Sequence, residues 1–176
     1  TMTVQEYNTC VREFSDGLYR FALKNVRDTD LAQDFVQDAF ERLWLRLDTV
    51  DYQRVKSYLF RTVVNLQIDR SRRQSLQQQH LSSLPDPVHS PGVAHDVQQL
   101  IDEGVARLND IQRTVLTLRD FEGYSYQEVA DIMDTPTGTV MSRLHRGRKQ
   151  LREKLASYAQ ELGYSVATPK EKGGEK

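Results

Sequence analysis

The chain has 176 residues, 38% apolar and 28% charged, ordinary values for a soluble globular protein with one or two small domains. Its single cysteine, Cys10, excludes an internal disulfide, no apolar run is long enough to span a membrane, and none reads as a signal peptide, so the expected location is the cytoplasm. The net charge of −1 conceals strong segregation: residues 1–53 carry about −4, 54–75 about +5, 76–136 about −7 and 137–155 about +5. Two basic blocks between acidic ones suggest two surfaces for a polyanion and two for something else.

The first predicted helix runs from Val4 to about Val26, with Val4, Tyr7, Val11, Phe14, Leu18, Phe21, Ala22 and Val26 on one broad apolar face. Cys10 lies on it and reads as a small buried residue. Asp28 or Asp30 can cap a second helix from Asp30 to about Leu47, where Leu31, Phe35, Ala39, Leu43 and Leu47 step by four. Its opposite face carries Asp34, Gln37, Asp38, Glu41 and Arg42. That face is either a solvated helix surface or a dock for a basic partner helix, and periodicity does not separate the two.

Residues 48–54 (DTVDYQR) break the pattern and predict a loop. A third helix then runs from Arg54 or Val55 to near Leu76, packing through Val55, Tyr58, Leu59, Val63, Leu66 and Ile68. Arg61, Asn65, Arg70, Arg72 and Arg73 make its far side basic. Tyr52, Tyr58 and Phe60 stand near that charge, and aromatics beside arginines can hold unstacked bases. Tyr58 reads better as core, and Tyr52, in the loop, is the freer candidate. Residues 77–93, rich in glutamine, serine and proline, predict a linker and a domain boundary. Helical spacing returns over Asp96–Leu108. Asp110 can cap a further helix bearing Ile111, Val115, Leu116 and Leu118, with Gly123 at its end.

The most informative stretch is SYQEVADIMDTPTGTVMSRLHRGRKQLREK, Ser125–Lys154. Ser125 with Glu128 is a capping box, and Val129, Ile132 and Met133 give the helix after it an apolar face. Thr135 and Pro136 signal a second start after a turn too short to be a flexible linker, so the two helices must cross. This is a helix-turn-helix pattern. On the second helix Val140, Leu144, Leu151 and Leu155 form the buried stripe, with Gly147 beside it allowing close packing. Thr139, Ser142, Arg146 and Lys149 lie opposite, flanked by Arg143 and His145. A helix of this width fits a DNA major groove. After Gly163, residues 164–176 have little to bury and read as a mobile tail.

His80, His89, His95 and His145 lack metal-ligand spacing, and no phosphate loop or nucleophile–base arrangement occurs, so no metal, cofactor or enzymatic activity is expected. The expected fold is all-α: two small helical domains, residues 1–76 and 94–163, joined by a flexible proline-containing linker. The C-terminal domain is the helix-turn-helix.

Two stretches resemble one family. Residues 106–155, ARLNDIQRTVLTLRDFEGYSYQEVADIMDTPTGTVMSRLHRGRKQLREKL, are similar to the −35-binding region 4 of extracytoplasmic-function (group IV) sigma factors. DLAQDFVQDAFERLW and KSYLFRTVVNLQIDRSRR resemble regions 2.2 and 2.3–2.4 of the same family. The order and the proline-bearing linker agree, over about Tyr7 to Leu155.

The resemblance implies a factor that binds core RNA polymerase, directs it to promoters and opens the DNA. It implies that Asp34, Gln37, Asp38 and Glu41 dock on the coiled coil of the β′ subunit, with the β flap as a further contact. Asp48, Thr49, Tyr52, Arg54, Arg61, Asn65, Arg72 and Arg73 would meet the −10 element, one flipped base entering a pocket near the loop. Thr139, Ser142, Arg143, His145, Arg146 and Lys149 would meet the −35 element. An anti-sigma factor is the implied regulator. Met141 departs from the lysine or arginine common in the family. The competing reading is a stand-alone helix-turn-helix repressor or activator with dimerising N-terminal helices; a third is a protein adaptor.

Overall fold

A computed structural model describes residues 1–80, 97–161 and 163. The expected tail and most of the expected linker, residues 81–93, lie outside the described residues. All regular structure among the described residues is helical. The order is α1 (Val4–Val26), α2 (Thr29–Trp44), a 3₁₀ turn (Tyr52–Arg54), α3 (Val55–His80), α4 (Val97–Ala106), α5 (Asp110–Leu116), a π turn (Thr117–Phe121), α6 (Tyr126–Met133) and α7 (Thr137–Glu161).

Local chemistry sets most helix starts. Thr3 and Glu6 close a capping box on α1, the Asp28 carboxylate accepts from the Leu31 amide at 3.0 Å, and Ser125 and Glu128 close a second box on α6. Asn109, not Asp110, caps α5, accepting from Gln112 N at 2.8 Å; Asp110 becomes the first helical residue. α7 begins one residue after Pro136, whose carbonyl accepts from Val140 N at 3.1 Å. α2 ends at Trp44 rather than near Leu47. Its turn is closed by bonds from Thr49 and Val50 to the Arg46 carbonyl. α3 continues past Leu76 to His80, taking residues 77–80 from the expected linker; glutamine is a good helix former.

In the N-terminal half α1 and α2 pair antiparallel across the Arg27–Asp28 turn, and α3 lies on both. The core is Cys10, Leu18, Phe21, Ala32, Phe35, Ala39, Leu43, Leu59 and Val63. Burial pushes the Cys10 thiol pKa up, as suits an inert core residue. In the C-terminal half α5 and α6 pack on α7 through Val115, Leu116, Leu118, Val129, Ile132, Val140 and Leu144, while Ile111, expected inside, is exposed. Gly104 on α4 permits close helix approach: a Cβ there would sit 2.6 Å from Leu151 Cδ1.

α3 also faces the C-terminal half. Phe60, only 1% exposed, packs between Phe21 at 5.5 Å and Tyr124 at 5.1 Å. It is core, not an aromatic presented to a strand. α3 therefore buries residues on two sides, Val55, Leu59 and Val63 together with Phe60, Val64 and Gln67. This double burial hides the single apolar stripe that a surface helix shows. Lys24 pairs with Asp102 at 3.5 Å and lies 3.8 Å above the Phe121 ring, and Arg20 pairs with Glu122 at 3.5 Å, so the two halves also meet along α1.

Candidate nucleic-acid interface

α7 presents its polar face outward. Val140, Leu144 and Gly147 are buried beneath it, and Ser142, His145, Arg146 and Lys149 are exposed on the opposite side. Those four project within one stripe because they are spaced by three or four residues. Thr139 and Arg143 are half-buried on the flank nearer the turn, and an Arg143 amino group lies 3.5 Å from Thr135 Oγ. The Ser142 hydroxyl donates to the Thr139 carbonyl at 2.9 Å, leaving its lone pairs free as acceptors. Met141 is exposed beside this face. Two elements brace α7 from behind: Gly147 meets Gln112 of α5, and Arg148 binds the Asp120 carboxylate through Nε at 2.9 Å.

The turn that holds α6 against α7 depends on backbone geometry. Asp134 adopts φ +50, and Thr135 N donates to the Ala130 carbonyl at 3.0 Å, which ends α6. Asp and Asn enter this left-handed region more readily than bulkier side chains.

The second basic surface lies on α3 and the turn before it. Arg54, Asn65 and Arg72 are exposed, and with Arg61 they fall within one stripe about 27 Å long. Arg73 is exposed on the flank. Asp48, Thr49 and Tyr52 are exposed at the head of the stripe, Tyr52 at 40%. The Asp51 carboxylate accepts from Gln53 N at 3.1 Å and shapes the 3₁₀ turn. Tyr58 is half-buried, its hydroxyl 3.4 Å from the Arg42 carbonyl.

Arg61 differs from its neighbours. Its Nε donates to the Ile132 carbonyl at 3.3 Å, and an amino group donates to the Asp131 carbonyl and approaches Asp134 at 3.5 Å. Beside it a cleft of about 860 Å³ separates the 49–61 segment from residues 130–136.

The acidic surface is on α2. Asp34, Gln37, Asp38 and Glu41 are exposed, spaced by three and four residues on one stripe, while Phe35, Ala39 and Leu43 are buried opposite. It is continuous with exposed Trp44 and Leu45 at the helix end.

The sequence reading did not find Arg113 or the π turn. Arg113 lies between α4, α5 and α1, its guanidinium bonded to the carbonyls of Val105, Ala106, Leu108 and Asn25 and paired with Asp110. In the π turn Glu122 N donates to the Thr117 carbonyl at 3.0 Å. That one-residue shift keeps Leu118 buried while Phe121 faces Lys24. Gly123, at φ +75, lies two residues beyond it, where the sequence placed the end of the helix.

Among the described residues no group of three or more His, Cys, Asp or Glu side chains is placed to hold a metal ion, and no helix is long and apolar enough to cross a membrane.

Comparison with protein-family profiles matches residues 10–77 to Sigma-70 region 2 and residues 98–151 to Sigma-70 region 4. The RNA polymerase sigma-E factor of Streptomyces coelicolor is 33% identical over 156 residues, covering 88% of this chain and 88% of its own. The ECF RNA polymerase sigma factor SigW of Bacillus subtilis is 29% identical over 158 residues, covering 81% and 84%. The fold is that of the sigma factor RpoE of Bartonella quintana, solved in complex with the anti-sigma factor NepR (TM-score 0.69, 24% identity, 86% of this chain and 98% of that one). CnrH, solved with the cytosolic domain of CnrY, is also similar (TM-score 0.64, 22% identity, 86% and 88%). Both regions in one chain do not favour a stand-alone regulator, and sigma factors act in initiation without a catalytic step of their own. The helix-turn-helix, the α3 stripe and the two matched regions agree: the chain belongs to the extracytoplasmic-function group of the sigma-70 family of RNA polymerase sigma factors.

Proposed function

We propose that this sigma factor holds core RNA polymerase through α2 and reads the promoter through α3 and α7. The observation that carries the reading is the separation of exposed faces by charge: Asp34, Gln37, Asp38 and Glu41 on one, Arg54, Asn65, Arg72 and Arg73 on a second, Ser142, His145, Arg146 and Lys149 on a third. An acidic stripe with its apolar side buried steers and orients a basic helical partner, as the β′ coiled coil would be. Region 4 would take the β flap.

The α3 stripe suits a single strand. Arg54, Arg72 and Arg73 meet phosphates, Asn65 can donate and accept at a base edge, Tyr52 offers a stacking face, and Asp48 and Thr49 border the pocket for an extruded base. On α7, Arg146 and Lys149 meet phosphate or guanine, Ser142 can accept from a base amino group, and His145 lies between them. Arg143 and Thr139 support the helix-turn-helix turn and reach the groove edge. We take residues 1–76 as the core-binding and −10 domain, extended through the end of α3 at His80. Residues 94–163 are the −35 domain, with the linker and the 164–176 tail outside both. The protein is cytoplasmic, and an anti-sigma factor is its regulator, by analogy with the NepR complex.

The test is reconstituted transcription with core polymerase and a pool of genomic promoter fragments, start sites being mapped. Specific starts that depend on the protein are expected. Their absence, with duplex binding intact, removes the reading. Arg146→Ala weakens −35 duplex binding by about 1–3 kcal/mol, selectively where it reads a base and uniformly where it meets phosphate. Arg143→Ala costs less, because its side chain is half-buried against the turn. Wild-type binding by both variants in a salt-controlled titration rules out this face. Asp38→Arg abolishes co-elution with core polymerase and leaves the thermal melt unchanged, since Asp38 is exposed. Transcription at wild-type level by that variant removes the docking assignment.

A further inference from the structure

Two residues near the start of α7 serve no packing inside the chain. Met141 is 49% exposed, and among the described residues it is the one exposed large apolar side chain on this helix. Gly138, one turn earlier, is exposed, and a Cβ added there would meet nothing within 4 Å. Its φ is negative. Neither space nor backbone conformation therefore calls for glycine, which weakens a helix relative to alanine. Both residues leave something open to the outside: Met141 an apolar surface, Gly138 a bare stretch of backbone.

Helix geometry puts the two beside the polar face. Gly138, Met141, Ser142 and His145 recur at three and four residues and cover about 10 Å of axis, the rise of about three base pairs. At 100° per residue Met141 lies about 40° from His145 and about 160° from Arg143, on the flank away from the turn. The second helix of a helix-turn-helix meets base edges with its N-terminal residues. Met141 is the fifth residue of α7.

A thioether has no donor and is only a weak acceptor, so Met141 reads by apolar contact. Thymine alone among the four bases places a methyl group in the major groove. Guanine, adenine and cytosine place polar atoms there, which Met141 would strip of water without replacing their hydrogen bonds. Attraction to thymine and cost at the other bases thus act in the same direction. A lysine or arginine at this place would favour guanine instead.

We propose that Met141 is a specificity-determining residue of the −35 face: its thioether end packs on the 5-methyl group of one thymine, with Gly138 leaving room for the approach. This rests on the assignment of −35 recognition to α7.

The test starts with the full chain and core polymerase selecting from duplexes randomised over the −35 element. Each thymine in the selected element is then replaced in turn by deoxyuridine, which removes the methyl group and keeps the hydrogen-bonding edge. At one position the wild-type complex loses about fourfold in affinity, the scale of burying one methyl group. Met141→Ala loses a similar factor on the thymine duplex and is indifferent to deoxyuridine at that position, because both changes delete one contact. Its thermal melt stays at the wild-type value, since the side chain is half exposed and alanine favours a helix. Selection repeated with Met141→Arg enriches guanine at the same position.

Equal sensitivity of wild type and Met141→Ala to deoxyuridine at every thymine overturns the role of Met141, as does a selected element without thymine. If Arg146→Ala still weakens that duplex, the −35 reading of α7 stands without it. Wild-type binding by Met141→Ala and Arg146→Ala alike removes the α7 face itself, and the proposal with it.

Discussion

Phe60→Ala unfolds the chain more readily by about 3–5 kcal/mol, the cost of deleting a fully buried aromatic ring and leaving its cavity. The size follows from where the ring sits. It is 1% exposed, 5.5 Å from Phe21 of the same domain and 5.1 Å from Tyr124 of the other. The tilted and edge-on geometry of these pairs adds to the area term. Phe60→Leu keeps most of the volume and costs about 1 kcal/mol. Equilibrium denaturation of the three proteins, with hydrogen exchange to locate the loss, checks this. Protection falls in both α3 and the π turn after Phe60→Ala. An aromatic that merely held an unstacked base would behave oppositely, losing strand binding at unchanged stability.

Phe60 also shows where the sequence stops being legible. Two helix starts were readable because capping is local chemistry: Asp28, and Ser125 with Glu128, each act within four residues. The polar face of α7 and the acidic stripe of α2 were readable because each helix buries one side only, so period 3.6 separates core from surface. α3 defeats that logic. It is covered on one side by α1 and α2 and on another by α6 and Tyr124, so no single stripe marks its core.

Arg61 looked like its neighbours Arg70 and Arg72 in sequence. Its distinction, the carbonyls of Asp131 and Ile132, lies some 70 positions along the chain. Asn109 rather than Asp110 as the cap is a smaller shortfall of the same kind, since both side chains cap well and adjacent positions compete. The matching of the chain to both sigma regions needed no tertiary information, whereas the packing of one region on the other did.

Arg113→Ala loosens the C-terminal domain by about 3 kcal/mol, through groups the substitution leaves behind rather than those it removes. The guanidinium, with a side chain 17% exposed, gathers the end of α4: Nε donates to the Val105 carbonyl at 3.3 Å, and one amino group donates to Ala106 at 3.0 Å and Leu108 at 2.7 Å. The other amino group reaches Asp110 at 3.3 Å and the Asn25 carbonyl of α1 at 3.1 Å. Burial lowers its pKa, and Asp110 opposes that shift. Truncation leaves the last carbonyls of α4 without their donor at a site too enclosed for free hydration. Arg113→Lys recovers little, since one ammonium cannot span acceptors placed for a planar fork. Hydrogen exchange separates this from a general loss: α4 and α5 amides open early, while α2 amides keep wild-type protection. Uniform loss across both halves would instead make the Asn25 contact, and not the α4 carbonyls, the principal role of Arg113.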